Sequence, residues 1–306
     1  MKTDSANLKF SASVRRPSPR LLQRSMSENA AFVVLLLPFM LLFFVFTILP
    51  IISSIVLSFF DYDMISKPLF CSLENYLRMF TGDKIFPIVF KNTMIMAVVT
   101  GPISFLLAFI LAWVINEFSS VLRTFLAFLF YAPALVGNAY FIWQIAFSGD
   151  SYGYVNNILL TLGLLTEPVV WLKNPDYNMI IIIIVQLWLS MGVSFLANIA
   201  GLQNVSLELY EAGAVDGIRN RWEELWYITL PSMKSILLFG AVMQIQSSFS
   251  VGAVVTALAG YPSLNNSVDT IVTYLTYIGT MRYEFGYAAA ISVMLFVSMA
   301  FIRILV

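Results

Sequence analysis

The chain has 306 residues, of which 59% are hydrophobic and 11% charged, and its 17 basic and 17 acidic side chains cancel. Soluble domains carry about 25% charge, so this balance excludes an ordinary globular enzyme or a nucleic-acid-binding domain and puts the chain in a lipid bilayer. Histidine is absent, and the single cysteine, Cys71, can form neither an internal disulfide nor a metal cluster.

Residues 1–30 read as a tail. Lys2, Lys9, Arg15, Arg16, Arg20 and Arg24 stand there against Asp4 and Glu28, with little to bury. Positive charge is retained on the cytoplasmic side of a membrane, so the tail is expected inside, on or near the anionic inner leaflet.

Six apolar stretches then meet the requirement of about 20 residues for a membrane span. They run roughly over 32–60, 88–115, 122–147, 179–202, 236–258 and 285–306. An even number returns the C-terminus to the cytoplasm, and Arg123, Arg219, Arg221, Lys234 and Arg303 then lie inside as well. The fold expected is an all-α membrane protein with a transmembrane domain over 31–306. Pro38 and Pro50 are expected to kink the first span.

The fourth span carries Gln186, Ser190, Ser194 and Asn198 at intervals of four, a slowly turning polar stripe. The fifth offers Gln244, Gln246, Ser247, Ser248 and Ser250. Such groups are costly against lipid, so they face protein or a water-filled path. As path-lining groups, with Tyr131, Tyr140, Trp143 and Trp188 nearby, they suit a hydroxyl-rich solute better than an ion. As packing groups they are ordinary interhelical hydrogen bonds, and both readings stand.

Between these two spans lies a polar island over about 205–232. Ser206 caps a short helix with Glu208 in its first turn. Asp216 and Gly217 end it, glycine accepting the left-handed conformation of a helix stop. A second helix starts at Asn220, with Glu223 as capping-box partner. Trp222, Leu225, Trp226 and Thr229 share one face, and Pro231 fits the first turn of the following span. A helix-turn-helix elbow is the result.

No span carries Asp, Glu, Lys or Arg well inside it, although proton-coupled carriers usually hold an ionisable group there. The chain has no G-x-x-x-x-G-K-[ST] phosphate loop, no H-E-x-x-H helix and no serine with a histidine to activate it. It is expected to be neither an enzyme nor a holder of a cofactor or metal, and the energy for any transport is expected from elsewhere.

The island's E-A-G-x-x-D-G, followed by I-x-L-P, resembles the E-A-A signature of ABC importer permeases, in the sugar branch related to the maltose system. Tyr210, Glu211, Ala212, Asp216, Gly217, Leu230 and Pro231 match. Gly213 stands where alanine is usual, and Ile218 where alanine often follows the glycine. Leu73-Glu74-Asn75-Tyr76 with Phe80, Asn92-Thr93, and Asn156 with Leu159, Gly163 and Trp171 extend the likeness from about Pro38 to the end. The resemblance implies a type I ABC importer fold in a bacterial plasma membrane, with a cytoplasmic coupling helix between spans 4 and 5. It also implies the partners: a second homologous permease, two ATP-hydrolysing subunits, an extracytoplasmic solute-binding protein, and a carbohydrate as cargo. Leu207 to Val215 would dock on an ATPase, with Glu211 as its polar contact and Gly217 setting the angle of the elbow. A self-sufficient carrier or channel for a small neutral solute, and a membrane scaffold, are the other classes compatible with the composition.

Overall fold

A computed structural model describes residues 32–305 of the protein; the expected basic tail and Val306 lie outside the described residues. The chain divides between Ser53 and Ser54 into two units. The first holds the beginning of α1 (Phe32–Leu57), a helix long and apolar enough to cross a membrane. A π-turn over Phe44–Ile48, in which the Leu49 amide bonds back to Phe44, comes immediately before Pro50. A proline cannot donate to the preceding turn, and the wider turn is the local adjustment to it.

The second unit holds the end of α1 and then a hairpin of β1 (Phe60–Asp61) and β2 (Leu69–Phe70), antiparallel with Phe60 opposite Phe70. A short helix, α2 (Glu74–Leu77), and a π-turn follow. The long helix α3 (Phe86–Asn116) then runs to the opposite end of the unit. Its start is capped by Asp83, whose carboxylate accepts the amides of Ile85 at 2.8 Å and Phe86 at 3.1 Å. The same carboxylate accepts the hydroxyls of Tyr287, at 2.5 Å, and Tyr274. Burial opposes its charge, but these hydrogen bonds outweigh burial and hold the carboxyl below the usual carboxylate range.

Where one continuous third span was expected over 122–147, the structure has two pieces. α4 (Ser120–Leu135) has sixteen residues and α5 (Phe141–Ala146) six, with a turn between them. Pro133, Gly137 and Asn138 explain the division: they put a helix-ending proline and two turn formers in one short stretch. α6 (Tyr154–Thr161) comes next, in a loop held by Asn156.

The fourth expected span is also broken. α7 (Asn178–Leu189) and α8 (Val193–Asn204) are bent by 42° about Ser190–Gly192. Then come α9 (Leu207–Val215) and α10 (Arg221–Glu224), the latter continued by a π-turn to Thr229. α11 (Lys234–Phe249) and α12 (Gly252–Ala259) together form one long apolar segment. α13 (Ile271–Thr280) and α14 (Phe285–Leu305) complete the unit. By length and composition four helices among the described residues can cross a membrane, five if the bent pair counts as one span.

The core of this unit is layered along α3. At the hairpin end, Phe86 and Val89 pack with Ile271, Tyr274, Ile278 and Ile291. At the elbow end, Ala108, Phe109 and Ala112 pack with Phe195 and Ile199 of α8 and with Leu225 beyond the turn. In lipid such close packing, with interhelical hydrogen bonds, replaces the hydrophobic effect as the force holding helices together.

Three asparagines join the connecting segments. Asn75 donates to the carbonyls of Ser58 and Phe60 at 2.9 and 3.0 Å. Asn92 donates to those of Asn266 and Asp269 at 2.9 and 3.1 Å. Asn156, fully buried, has the carbonyls of Ser148, Asp150 and Val169 within reach of the two hydrogens of its side-chain amide and accepts from the Val169 amide and the Trp171 indole. Each satisfies backbone groups that no helix or strand would otherwise pair.

Candidate functional site

α9 begins and ends as its sequence demands. The Ser206 hydroxyl accepts the Glu208 amide at 3.3 Å, and Glu208 sits at the positive end of the helix. At the other end the Ile218 amide reaches the Gly213 carbonyl at 2.9 Å, and the Gly217 amide reaches that of Ala214 at 3.3 Å. This pair of bonds is a Schellman stop, and it requires the φ of +99° that Gly217 adopts. Gly213 lies on the inner side of the turn, where an added Cβ would come within 2.6 Å of Ile228 Cδ1 and 3.1 Å of Ile218 Cδ1.

Two further contacts fix α9 to the π-turn beyond α10. The Tyr210 hydroxyl lies 2.9 Å from Thr229 Oγ1, and Ile228 and Thr229 are buried behind the helix. Glu211, Ala212, Asp216 and Gly217 face outward. Among the described residues, no side-chain hydrogen bond or ion pair engages Glu211 or Asp216.

α10 departs in detail from expectation. Asn220 caps it through the Glu223 amide at 2.9 Å. The Glu223 carboxylate does not return to the Asn220 backbone as a capping box would; it accepts the Arg219 amide and the Asn220 side-chain amide, both at 2.9 Å. Arg219 supplies a free amide one residue earlier, and the longer reach uses both carboxylate oxygens. Pro231 is also displaced from its expected place. It sits in a one-turn segment, Leu230–Ser232, and the following span starts only at Lys234. The expected apolar face is divided: Leu225 and Thr229 are buried, while Trp222 and Trp226 are largely exposed.

Arg221 belongs to no sequence motif, yet it is the most connected charge of the elbow. Its guanidinium meets Glu224 and Glu117 at 2.7 Å each. The hydrogen bond to Glu224, against some burial and with the charges of Glu117 and Glu224, raises its proton affinity further. Beside it the rings of Trp113 and Trp222 are 5.4 Å apart. No local sequence signal marks this contact, because 104 residues separate Glu117 from Arg221.

The polar residues of the fourth and fifth expected spans meet in one seam between α7, α8, α11 and α3. Gln186 Nε2 donates to the Ser247 carbonyl at 3.1 Å. Ser190 Oγ donates to Ser104 Oγ at 2.6 Å or to the Leu187 carbonyl at 2.8 Å, since one hydroxyl has one proton. The Ser190 carbonyl, at the break, accepts Gln244 Nε2 at 3.1 Å and the Gly192 amide at 2.8 Å. Ser248 is turned onto the Ile245 carbonyl at 2.8 Å. The interval-of-four stripe is not continuous, because the break puts Gln186 and Ser190 on one helix axis and Ser194 and Asn198 on another.

Packing accounts for Gln186, Ser190, Ser247 and Ser248. It does not account for Ser194 Oγ, both polar atoms of Asn198 or Gln244 Oε1, which are buried without a partner. Ser194 and Asn198 converge on Gly240, whose added Cβ would lie 2.8 Å from Ser194 Oγ and 3.9 Å from Asn198 Oδ1. Gln244 and Ser248 also line a groove of about 570 Å³ between α3 and α11, otherwise apolar and flanked by Ile302. Exposed Gln246 and Ser250 take no part in the seam. Ser104 and Gly240 were not anticipated; an isolated serine or glycine in an apolar run carries no distinguishing signal.

Long apolar helices around a polar seam, with a bent connector of two short helices, are the architecture of a helical membrane protein, and similarity to known proteins gives its class. The fold is that of a chain in a bacterial ABC transporter involved in the import of alginate, with a TM-score of 0.73 over 93% of this chain and 96% of that one at 24% identity. The sequence is 32% identical to the lactose transport system permease protein LacF of Rhizobium radiobacter over 88% of this chain and 90% of that protein. It is also 32% identical to the arabinooligosaccharides transport system permease protein AraP of Halalkalibacterium halodurans, over 92% and 87% of the two chains. No protein-family model matches the sequence. The chain belongs to the maltose-type family of carbohydrate ABC transporter permeases.

Proposed function

We propose that the protein is one of two permease subunits of an ATP-driven, binding-protein-dependent importer for a sugar or oligosaccharide. The elbow of α9 and α10 is its cytoplasmic contact with an ATPase subunit. The broken segments around α4–α5 and α7–α8 complete six spans with both termini inside. A second permease pairs with this one, two ATPase subunits hydrolyse the nucleotide, and an extracytoplasmic binding protein delivers the solute.

The observation that carries the reading is the outward face of α9. Glu211 and Ala212 are exposed there on a helix whose far side is closed by the Gly217 stop and the Tyr210–Thr229 hydrogen bond. A helix so fixed can transmit force as a rigid lever, as packed elements shift between discrete arrangements. Ser194, Asn198 and Gln244, with their unpaired polar atoms, are the leading solute contacts. Neutral donors and acceptors of this kind match the hydroxyls of a carbohydrate.

The test is reconstitution. The protein alone in liposomes should carry no radiolabelled lactose, trehalose or arabinotriose on a sodium or proton gradient. With its operon-encoded partners and ATP it should carry at least one of them. Glu211→Lys should insert normally yet lose the ATPase subunit on copurification. Uptake without partners, or unchanged ATPase association in Glu211→Lys, would overturn the proposal.

A further inference from the structure

The elbow is joined covalently to the rest of the chain at both ends, from α8 and into α11, and a third, non-covalent junction ties it to the end of α3. There α3 stops at Asn116, and Glu117 reaches 2.7 Å to Arg221 of α10, which Glu224 holds from the other side at 2.7 Å. One turn back on α3, Trp113 lies against Trp222. The loop that presents Glu117 is itself fixed by α4: Arg123 donates to Asn116 Oδ1 at 3.2 Å and to the Phe118 carbonyl at 3.3 Å. The Arg221 guanidinium thus ties α10 to the end of α3, and Arg123 ties that end to α4.

We infer that Glu117 and Arg221 form a clamp that makes α3 and α4 follow the elbow when the ATPase subunits move it. This rests on the proposed role of α9. Glu117 and Arg221 are positioning residues: they act by fixing α10 to α3. The choice of residue types fits the role. Arginine presents separate N–H groups of one planar guanidinium to two carboxylates, which lysine cannot do with fixed direction. The aromatic pair beside it resists sliding without depending on charge. α3 also lines the polar seam through Ser104, so movement passed to α3 reaches Ser190 directly.

The clamp can be tested in the assembled transporter. In a Cys71→Ser background, spin labels at Val121→Cys of α4 and Tyr227→Cys beyond α10 report the relation of the two elements; both positions are exposed and outside the clamp. The intact clamp should give one narrow distance distribution with and without ATP. Glu117→Lys should broaden it while ATPase copurification and ATP hydrolysis persist. Uptake of lactose, trehalose or arabinotriose per ATP should fall at least about fivefold, the lower end of typical coupling effects.

The triple reversal Glu117→Lys, Arg221→Glu, Glu224→Lys exchanges every sign and should restore the narrow distribution. If Glu117→Lys does not accumulate, Glu117→Gln removes the charge without repulsion and should broaden the distribution in the same sense. An unchanged distribution in the single variants, or a triple reversal no narrower than Glu117→Lys, would sink the clamp. Glu211→Lys, run in parallel, separates the two proposals: it should lose the ATPase while keeping the narrow distribution.

Discussion

The hydroxyl of Tyr210 lies 2.9 Å from that of Thr229, and Thr229 in turn donates to the Glu224 carbonyl at 3.2 Å. When the Thr229 proton is on the Glu224 carbonyl, Tyr210 donates between the two hydroxyls. One side chain thus spans the two arms of the elbow. Tyr210→Phe removes that bond and leaves a buried acceptor without a donor, a loss of about 0.5–1.5 kcal/mol. Amide exchange over 207–217 should quicken by up to roughly tenfold. Hydrogen-exchange mass spectrometry of the assembled transporter measures this, and exchange equal to wild type would deny the tyrosine its bracing role.

Gly217 offers a graded test of the turn. At a φ of +99°, valine is strained by roughly 1–2 kcal/mol or more, while asparagine tolerates positive φ better. Gly217→Val should insert but transport poorly, and Gly217→Asn should retain the larger share of ATP-driven uptake in proteoliposomes. Equal uptake by the two variants would show that the angle does not matter.

Asn198 separates packing from solute contact. Its amide is fully buried and unpartnered, and replacing an unpaired buried polar group with an apolar one of similar size is neutral or stabilising. Asn198→Leu should therefore keep or raise the thermal midpoint of the purified protein while uptake falls. A lowered midpoint would return Asn198 to the packing role.

Acid should loosen the hairpin end. The Asp83 carboxyl is held below its ordinary value in the folded chain, so its contribution is complete above the unfolded value of about 3.9 and is lost as pH falls through the lower folded value. Exchange protection of the Ile85 and Phe86 amides should drop in that acid window, and Asp83→Asn should remove the pH dependence there. Protection that is flat below pH 4 in the wild type would contradict the assignment.

The helix ends between 206 and 220 were legible in sequence because their chemistry is local. Ser206, Gly217 and Asn220 each act within four residues of themselves; Ser206 and Gly217 do so as read, whereas Asn220 caps α10 without the capping box expected of Glu223. Asn75, Asn92 and Asn156, noticed only as family likenesses, acquire a physical role as ties between loops. The broken third span escaped because apolar content measures partition into lipid and is blind to a turn at Gly137–Asn138. The seam was half legible: polar spacing located it, but the bend at Ser190–Gly192 decides which groups pair, and bends of that kind depend on neighbours such as Ala134 and Ser104. Arg221 and Glu117 could not be matched without the fold that brings them together.

The nearness of Gly213 to Ile228 limits how elbows can be exchanged between relatives. A graft of 207–217 from a homologue with alanine at the third signature position would bring a methyl into the space Ile228 Cδ1 occupies. Ile228 Cδ1 is the end of a flexible side chain, so a chimera that stops at the glycine turn requires that side chain to rotate aside, whereas one carried through residue 228 brings its own partner for the alanine.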